Sequence, residues 1–294
     1  MLPIAQAFKR IIRVGWPALA LVGIFLLAGI FAPVIAPYDP SAQDLMMSNE
    51  GMSWAHLLGT DNLGRDTASR LLMGAQTTLF AVTTVVILAL MIGVTIGSIA
   101  GFVGGIVDEV IMRFVDFGLS IPSNIVALSV IGVFGPSYGN MIIALTIAWV
   151  PSYARLSRAT VAATVHQPHI ESLWVLGASN TRILCRHLIP TAVAAVLVYA
   201  SADAGILALT IATLSFLGLG VQPPMAEWGQ MLVDALPYIE ESPRQVILPG
   251  IALTIMVTGF NLLGEGLALA KAPRRLSWKL LRLRREVVAK EVNA

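Results

Sequence analysis

Residues 168–190 read PHIESLWVLGASNTRILCRHLIP, and this stretch predicts two short helices joined at a glycine. Pro168 suits the first turn of a helix, where its missing N–H costs nothing. Glu171 follows in the same turn, where the helix dipole favours a negative charge. Gly177 can adopt the left-handed conformation that ends a helix, and Ser179 or Asn180 can then cap a second helix.

The second predicted helix has its basic residues near the carboxyl end. Arg186 and His187 lie there, where the dipole favours positive charge, and Pro190 is predicted to close the helix. On the first helix, apolar residues recur at i, i+3, i+4 and i+7, which predicts one apolar face. That face consists of Ile170, Leu173, Trp174 and Gly177.

The remainder of the chain is apolar and poor in charge. Of its 294 residues, 56% are hydrophobic and 12% are charged, against about 25% charged in ordinary soluble domains. Four runs contain no Asp, Glu, Lys or Arg, namely residues 14–38, 71–107, 117–154 and 245–264. A membrane-spanning helix needs about 20 residues, so this distribution predicts a membrane protein.

We predict an all-α polytopic membrane protein with six transmembrane helices. The Gly135-Pro136 turn divides one long uncharged run into two spans, and another apolar segment contains a single charged residue, Asp203. The predicted spans are 16–36, 79–99, 117–134, 138–154, 195–217 and 246–264. They form a transmembrane domain at 16–270, with a loop at 155–190 between the fourth and fifth spans, a basic arm at 1–15 and a basic amphipathic tail at 271–294.

The basic residues predict the orientation of these spans. With both termini in the cytoplasm, 16 of the 19 Lys and Arg residues lie on the inner side and three lie outside. Inner loops carry an excess of Lys and Arg in membrane proteins, so the termini and the 155–190 loop are predicted to be cytoplasmic. The net charge of +2 therefore gives no indication of nucleic-acid binding.

The first outer loop contains carboxylates and an arginine among turn-forming glycines. Asp61, Gly64, Arg65 and Asp66 are consistent with two interpretations, a folded loop tied by local hydrogen bonds or a docking surface for an extracytoplasmic partner. The second outer loop contains Glu227 and Trp228, which predict a short interfacial helix with its indole at headgroup depth.

Asp203 lies within the fifth predicted span, where an ionisable group usually faces the protein interior or an aqueous path. Three interpretations stay open: it lines a pathway, it pairs with a partner subunit, or it lies near the membrane interface. Asn261, at the inner end of the last span, is a second candidate for a pathway residue.

Catalytic and cofactor-binding patterns are absent from the sequence. No lysine follows a glycine, so there is no Gly-Lys-Ser/Thr phosphate-binding loop, and neither Gly-x-Ser-x-Gly nor His-Glu-x-x-His occurs. His166 and His169 are separated by Pro168 and lack further ligands at a diagnostic spacing. We therefore expect no catalytic residue, no cofactor and no metal in this chain, and a function other than that of an enzyme.

Several motifs together resemble one family. Glu171, Gly177, Ile183 and Pro190 resemble the "EAA" loop of the permease subunits of bacterial ABC importers, with Leu173 in place of the usual alanine. Four other motifs resemble the dipeptide/oligopeptide/nickel branch of that family, and the likeness covers roughly residues 15–270. They are Gly59-Thr60-Asp61 to Arg70, Ser215-Phe216-Leu217-Gly218-Leu219-Gly220, Glu227-Trp228-Gly229 and Phe260-Asn261-Leu262.

The resemblance implies a transport subunit in a bacterial inner membrane. Such a permease pairs with a second, homologous permease, two ATPase subunits that bind ATP and Mg²⁺, and an extracytoplasmic solute-binding protein. The loop at 155–190 would then couple the permease to an ATPase. The implied coupling residues are Ile170, Glu171, Leu173, Trp174, Gly177, Ala178, Arg182, Ile183, His187 and Pro190. The implied outer-face docking residues are Asp61, Gly64, Arg65, Asp66, Glu227 and Trp228.

Peptides are the expected substrates, and nickel or a metal chelate is an alternative for the same machinery. A stand-alone secondary transporter is an alternative of another class, for which Asp203 is the best support. An intramembrane enzyme is a further alternative, which the missing catalytic residues disfavour.

Overall fold

The computed structural model describes residues 4–271, with side chains described for residues 19–268. This part of the chain is helical, and its only β-type pairing is an isolated bridge between Thr60 and Asp66. The helices are α1 (Ile4–Ile35), α2 (Thr67–Val103), α3 (Gly105–Ser120), α4 (Ser123–Phe134), α5 (Tyr138–Val165), α6 (Pro168–Val175), α7 (Asn180–Ile183), α8 (Ile189–Phe216), α9 (Trp228–Ala235) and α10 (Arg244–Lys271). The predicted tail at 271–294 lies outside the described residues apart from the backbone of Lys271.

Helix α2 is the central helix of the bundle and packs closely against α5. It contains three glycines one turn apart, Gly93, Gly97 and Gly101, and all three face α5. A Cβ atom at Gly97 would lie 2.1 Å from the carbonyl oxygen of Ala154, so the two backbones approach as closely as small residues allow. The Ser98 and Ser157 hydroxyls, 3.0 Å apart, hydrogen-bond across the same contact.

The third predicted span is not a single straight helix. The chain bends by 89° between α3 and α4, which meet at Ile121-Pro122. A residue before proline is disfavoured in the helical region, and Ile121 is extended, with φ −104° and ψ 129°. The predicted span 117–134 was therefore wrong in shape, because it begins inside α3 and crosses this bend.

The predicted set of six spans is confirmed only in part. Within the described residues, three helices are long and apolar enough to cross a membrane, and the bent pair α3–α4 makes up to four. The three are Thr67–Val103, Asn180–Phe216 and Arg244–Ala268. Helix α5 carries Arg155 and Arg158, and the apolar part of α1 with described side chains, Leu19–Ile35, is short. Six spans and the orientation of the termini stay predictions.

The predicted boundaries erred mainly where polar residues are buried by the fold. Helix α2 begins at Thr67, twelve residues before the predicted span, because Ser69 and Arg70 in its first turn are buried against the outer loop. Helix α5 likewise continues to Val165, so the first residues of the predicted 155–190 loop are helical.

Candidate functional site

Helix α6 ends as the sequence predicts, at Gly177. The glycine has φ +80°, and its N–H donates to the Trp174 carbonyl at 2.9 Å. The N–H of Ala178 donates to the Leu173 carbonyl, also at 2.9 Å. This pair of bonds is the Schellman motif, which satisfies the last carbonyl groups of a helix and fixes the direction of the following chain.

Helix α7 is capped by Ser179, whose hydroxyl accepts from the N–H of Arg182. Asn180, the alternative predicted cap, has a different role. Its side-chain oxygen accepts a hydrogen bond of 2.9 Å from the indole N–H of Trp174. The two short helices are therefore held together by a side-chain contact in addition to the glycine turn.

The apolar face of α6 packs against the helical bundle of this chain itself. Ile170 and Ile183 are fully buried, and the Trp174 ring stacks on Phe102, near the carboxyl end of α2, with ring centroids 6.4 Å apart. Leu173 packs beside them, so the bulkier residue at this position is accommodated. Ile170 and Ile183 are therefore covered by this chain rather than by a partner, because helical periodicity shows which face is buried but not against which chain. A contact of the partly buried Leu173 and Trp174 with a partner stays a prediction.

The surface that this element leaves exposed is its tip. Val175 and Leu176 are 89% and 81% exposed, immediately before the Gly177 turn. Glu171 and Arg182 are also exposed, while Ala178 and His187 are partly buried. An exposed apolar pair at a rigid turn is the feature of this region that needs a partner.

Pro190 does not close the second helix, contrary to the prediction. Residues Leu184–Leu188 form a π-helical turn, in which the N–H of Ile189 donates to the Leu184 carbonyl, and the chain continues directly into α8. A wider turn of this kind lets a helix pass a proline without ending. One helical path of 37 residues therefore runs from Asn180 to Phe216, about 55 Å at 1.5 Å per residue.

At the amino-terminal end of α2, which is predicted to lie on the outer side of the membrane, four charged side chains form a network. The Arg65 Nε atom lies 2.7 Å from Asp61 Oδ2, and the Arg70 Nε atom lies 3.3 Å from the same oxygen. Both guanidinium groups also approach Asp234 of α9, at 3.5 and 3.9 Å. Arg70 further donates to the Pro40 carbonyl at 3.2 Å, so one buried arginine ties three segments together.

The neighbouring residues also form contacts within this loop that stabilise its fold. Asp66 caps α2 by accepting from the N–H and hydroxyl of Ser69, both at 2.7 Å, and its other oxygen lies 2.9 Å from His56 Nδ1. Gly64 has φ +71°, and a Cβ atom there would lie 1.7 Å from the Asp44 carbonyl oxygen.

A second buried set, which we call the outer latch, joins α8 and α9 to α2. It consists of Thr78, Ser215, Glu227 and Trp228, all of which are buried. The Glu227 carboxylate caps α9 by accepting from the Gln230 N–H at 3.0 Å, and it also accepts from the Thr78 hydroxyl at 3.3 Å and from Ser215. The Trp228 indole donates to the Leu71 carbonyl at 3.0 Å.

The outer-face residues have structural roles within this chain, and a docking role for the loop stays a prediction. Arg65, Asp66, Glu227 and Trp228 are buried within this chain and offer no side-chain surface to a partner. Trp228 is also not exposed at a membrane interface. Its ring packs directly against Gly74, where an added Cβ atom would lie 2.7 Å from the indole. The alternative interpretation, a folded loop tied by hydrogen bonds, matches the structure.

Glu227 gives a testable pH dependence. Burial raises the pKa of this carboxyl above its ordinary value of 4.5, against the opposing effect of its hydrogen bonds. The folded state then binds more protons than the unfolded state above pH 4.5, so the contribution of Glu227 to stability decreases as pH rises through the folded pKa. Glu227→Gln is expected to remove this slope from thermal unfolding measured in detergent across about pH 4–8. The exposed control Glu240→Gln should keep the slope, and an unchanged slope in Glu227→Gln would contradict the assignment.

The two candidate pathway residues do not lie together. Asp203 of α8 accepts from the Tyr153 hydroxyl of α5 at 3.3 Å. Asn261 of α10 lies against Gly205, where a Cβ atom would be 3.3 Å from its side-chain oxygen. Positions 203 and 205 point about 200° apart on a helix, so Asp203 faces α5 and Asn261 contacts a different side of α8.

Comparison with known families identifies the class of protein. Residues 93–276 match the family described as "Binding-protein-dependent transport system inner membrane component", and residues 13–51 match the N-terminal transmembrane domain of oligopeptide transport permease C. The chain belongs to this inner-membrane permease family. The first match extends from α2 to beyond α10, so it includes the α6–α7 element and Asp203.

Three relatives cover most of this permease. A glutathione transport system permease protein of Pectobacterium atrosepticum is 38% identical over 275 residues, which is 92% of this chain and 91% of the relative. A dipeptide transport system permease protein of Alkalihalophilus pseudofirmus is 37% identical over 284 residues, 94% and 91% of the two chains. A probable D,D-dipeptide transport system permease protein of Escherichia coli is 37% identical over 244 residues, 83% and 82%.

These matches confirm the resemblance to ABC-importer permeases and the assignment to the inner membrane as a multi-pass protein. They also identify the chain as a transport component. The glycines at 93, 97 and 101, which carry the α2–α5 contact, are residues of the fold that the motifs above do not include. Their spacing of four residues within an apolar helix was the available signal, since small residues at this spacing allow helices in membranes to approach closely.

Proposed function

We propose that this permease forms half of the translocation path of an ABC importer for peptides. A second, homologous permease supplies the other half, two ATPase subunits bind ATP and Mg²⁺, and an extracytoplasmic solute-binding protein delivers the substrate. The relatives named for glutathione and for dipeptides support peptides as the substrate class. The absence of a phosphate-binding loop from this chain is consistent with an energy source in partner subunits.

The observation that carries the coupling role is the exposed tip of α6. Val175 and Leu176 project from a Schellman turn whose opposite face is anchored on α2 through Trp174 and Phe102. After the Gly177 turn, α7 continues without a break into α8. An ATPase that binds this tip would therefore move a rigid helical element connected to the membrane helices. Gly177, Arg182 and Pro190 contribute to the shape of that element and do not contact the substrate.

Helix α8 connects the region of the α6–α7 element with the outer latch. It follows α7 directly, and its last turn contains Ser215, which takes part in the outer latch with Glu227. A displacement at the cytoplasmic end can therefore reach the outer loops through one helical path. For the binding protein, the surface that remains available on the outer side comprises exposed loop side chains such as Met46 and Trp54 rather than the buried motif residues.

The assembled transporter provides the test of this proposal. Uptake of the dipeptide Ala-Ala into proteoliposomes, with partner subunits and binding protein present, is expected to require ATP and to be blocked by vanadate. Uptake that continues with vanadate and is abolished by a proton uncoupler at constant ATP would instead show a secondary transporter.

Leu176→Asp is expected to separate the permease from its ATPase. The substitution places a charge on the exposed apolar tip, so burial of that tip in a partner cleft would cost several kcal/mol, on the order of 100-fold or more in affinity. Co-purification of the ATPase should be lost while the amount and melting temperature of the permease stay unchanged. The control Leu217→Asp, at an exposed apolar position at the other end of α8, should retain the ATPase. Normal ATPase recovery with Leu176→Asp would show that the tip is not the contact.

A further inference from the structure

A carboxylate and three aromatic side chains form a cluster midway along α8. The Tyr153 hydroxyl donates to Asp203 at 3.3 Å, and the Trp149 indole is the second side-chain hydrogen-bond partner of the same carboxylate. Tyr199, one turn before Asp203, packs edge-on against Tyr153 with ring centroids 5.9 Å apart. We call these four residues the α5–α8 aromatic site.

The charge of Asp203 has no counterpart among the side chains that the structure describes. Within the described side chains, no Lys, Arg or His forms an ion pair with it, whereas Asp61, Asp108, Asp116 and Asp234 all have arginine partners. Both of its hydrogen-bond partners are neutral donors, and they leave further acceptor positions on the carboxylate free. A charged group in an apolar helix without an internal partner indicates that its counter-charge comes from elsewhere.

The α5–α8 aromatic site is also accessible to a ligand. Tyr153 and Trp149 are buried and hold the carboxylate in place, but Asp203 is only partly buried and Tyr199 is 46% exposed. Asp203 lies 23 residues after Asn180 and 12 residues before Ser215 along the continuous helix. It therefore lies between the coupling tip and the outer latch, at a depth that a transported molecule must pass.

The chemistry of the site favours an organic cation over a metal ion. A divalent cation needs several oxygen, nitrogen or sulfur ligands, and the described residues contain no group of three His, Cys, Asp or Glu side chains that could hold one. An ammonium group instead donates hydrogen bonds to a carboxylate and is attracted to the faces of aromatic rings.

We propose that Asp203, Trp149, Tyr153 and Tyr199 form a transit site for the primary ammonium group of a peptide substrate. This inference rests on the proposed peptide-import function, and it names the group that the path recognises. Dipeptides and glutathione share a free α-ammonium group. Asp203 accepts hydrogen bonds from that group, the rings of Tyr199 and Tyr153 flank it, and Trp149 holds the carboxylate in position.

The test compares Asp203→Asn with the wild type in the complete reconstituted importer. Asparagine keeps the shape of the side chain and removes its charge, so the initial rate of Ala-Ala uptake at subsaturating concentration is expected to fall about tenfold or more, the ratio for loss of one charged contact. Co-purification of the partner permease should stay within about twofold of wild type, and so should the rate of ATP hydrolysis stimulated by the binding protein. Glu265→Gln, which removes an exposed carboxylate at the inner end of α10, serves as the control and should transport normally.

The outcomes are distinct. A wild-type complex that does not transport Ala-Ala contradicts the proposed function itself, before any variant is compared. A wild-type complex that transports Ala-Ala, with equal uptake by Asp203→Asn, overturns the ammonium site alone. Loss of the partner permease from Asp203→Asn would also overturn it and would assign Asp203 to an ion pair between the two subunits. A selective fall in uptake, with Tyr199→Leu showing a smaller fall and Tyr199→Phe little change, supports the site.

Discussion

Replacement of Gly97 by alanine or leucine is expected to abolish the folded permease. The clash involves the Cβ atom itself, which would lie 2.1 Å from the Ala154 carbonyl oxygen and 2.9 Å from the backbone nitrogen of Arg158. Backbone atoms cannot move aside as the end of a flexible side chain can, so α2 and α5 would have to separate. Cβ atoms at the neighbouring Gly93 and Gly101 would also be crowded, at 2.8 Å from the Tyr153 Cβ atom and 2.7 Å from the Arg158 carbonyl oxygen.

The separation would remove the central contact of the bundle. Ala89, Val94 and Val161 would lose their packing, and the Ser98–Ser157 hydrogen bond would break inside an apolar environment. Overpacking usually costs about 1–3 kcal/mol, and a clash between two backbones should exceed the roughly 4–5 kcal/mol that marks the most damaging substitutions.

The measurement is the yield of monodisperse permease after extraction into detergent. Gly132→Leu is the matched control, since a Cβ atom at that α4 position meets nothing within 4 Å. The control should give wild-type yield, whereas Gly97→Ala should already give little. Wild-type yield and melting temperature for Gly97→Leu would mean that α2 and α5 do not approach this closely.

Replacement of Arg70 by methionine is the second prediction with a large effect. Methionine fills similar space but lacks the guanidinium group, which is 2% exposed and links Asp61, Asp234 and the Pro40 carbonyl. Breaking a buried ion pair by removing one partner costs about 3–5 kcal/mol, because the other charge stays buried without compensation. Arg65 remains beside the same two carboxylates and should limit the loss to the lower part of that range.

The expected results are a lower melting temperature and faster proteolysis of the first outer loop. Arg113→Met is the control, because the Arg113–Glu109 pair is exposed, with 80% and 72% of the two side chains accessible, and exposed pairs contribute about 0–1 kcal/mol. Combining Arg70→Met with Asp61→Asn should restore part of the loss, since the network then balances the charge of Arg65 against the single carboxylate of Asp234. Equal melting temperatures for Arg70→Met and Arg113→Met would show that the network does not stabilise the loop.

The local features of the α6–α7 element could be predicted from sequence in good detail. Pro168, Gly177 and Ser179 act through the conformation and hydrogen bonding of their own short segment, so their roles follow from neighbouring residues. Pro190 shows the limit of such reasoning. A proline usually ends a helix, and only the π-helical turn before it, within a continuous 37-residue path, allowed α7 to join α8.

The motif residues at the outer face show a second limit. Their spacing identified an important region but could not separate a docking surface from a folded structural network. Arg65 and Glu227 proved to be buried because α9 folds back over the amino-terminal half of α2, which brings residues about 150 positions apart into contact.

The sequence by itself determined the membrane class, the helical character, the glycine stop at Gly177 and the family, because these depend on composition, on local conformation and on ordered motifs. Only the tertiary structure decided which surfaces are free. The apolar stripe of α6 is buried on α2, the tip at Val175 and Leu176 is exposed, and Asp203 lies among aromatic rings without a counter-charge in the described residues. The physical reason is that periodicity specifies that a face must leave water, whereas the chain's long-range packing specifies what covers it.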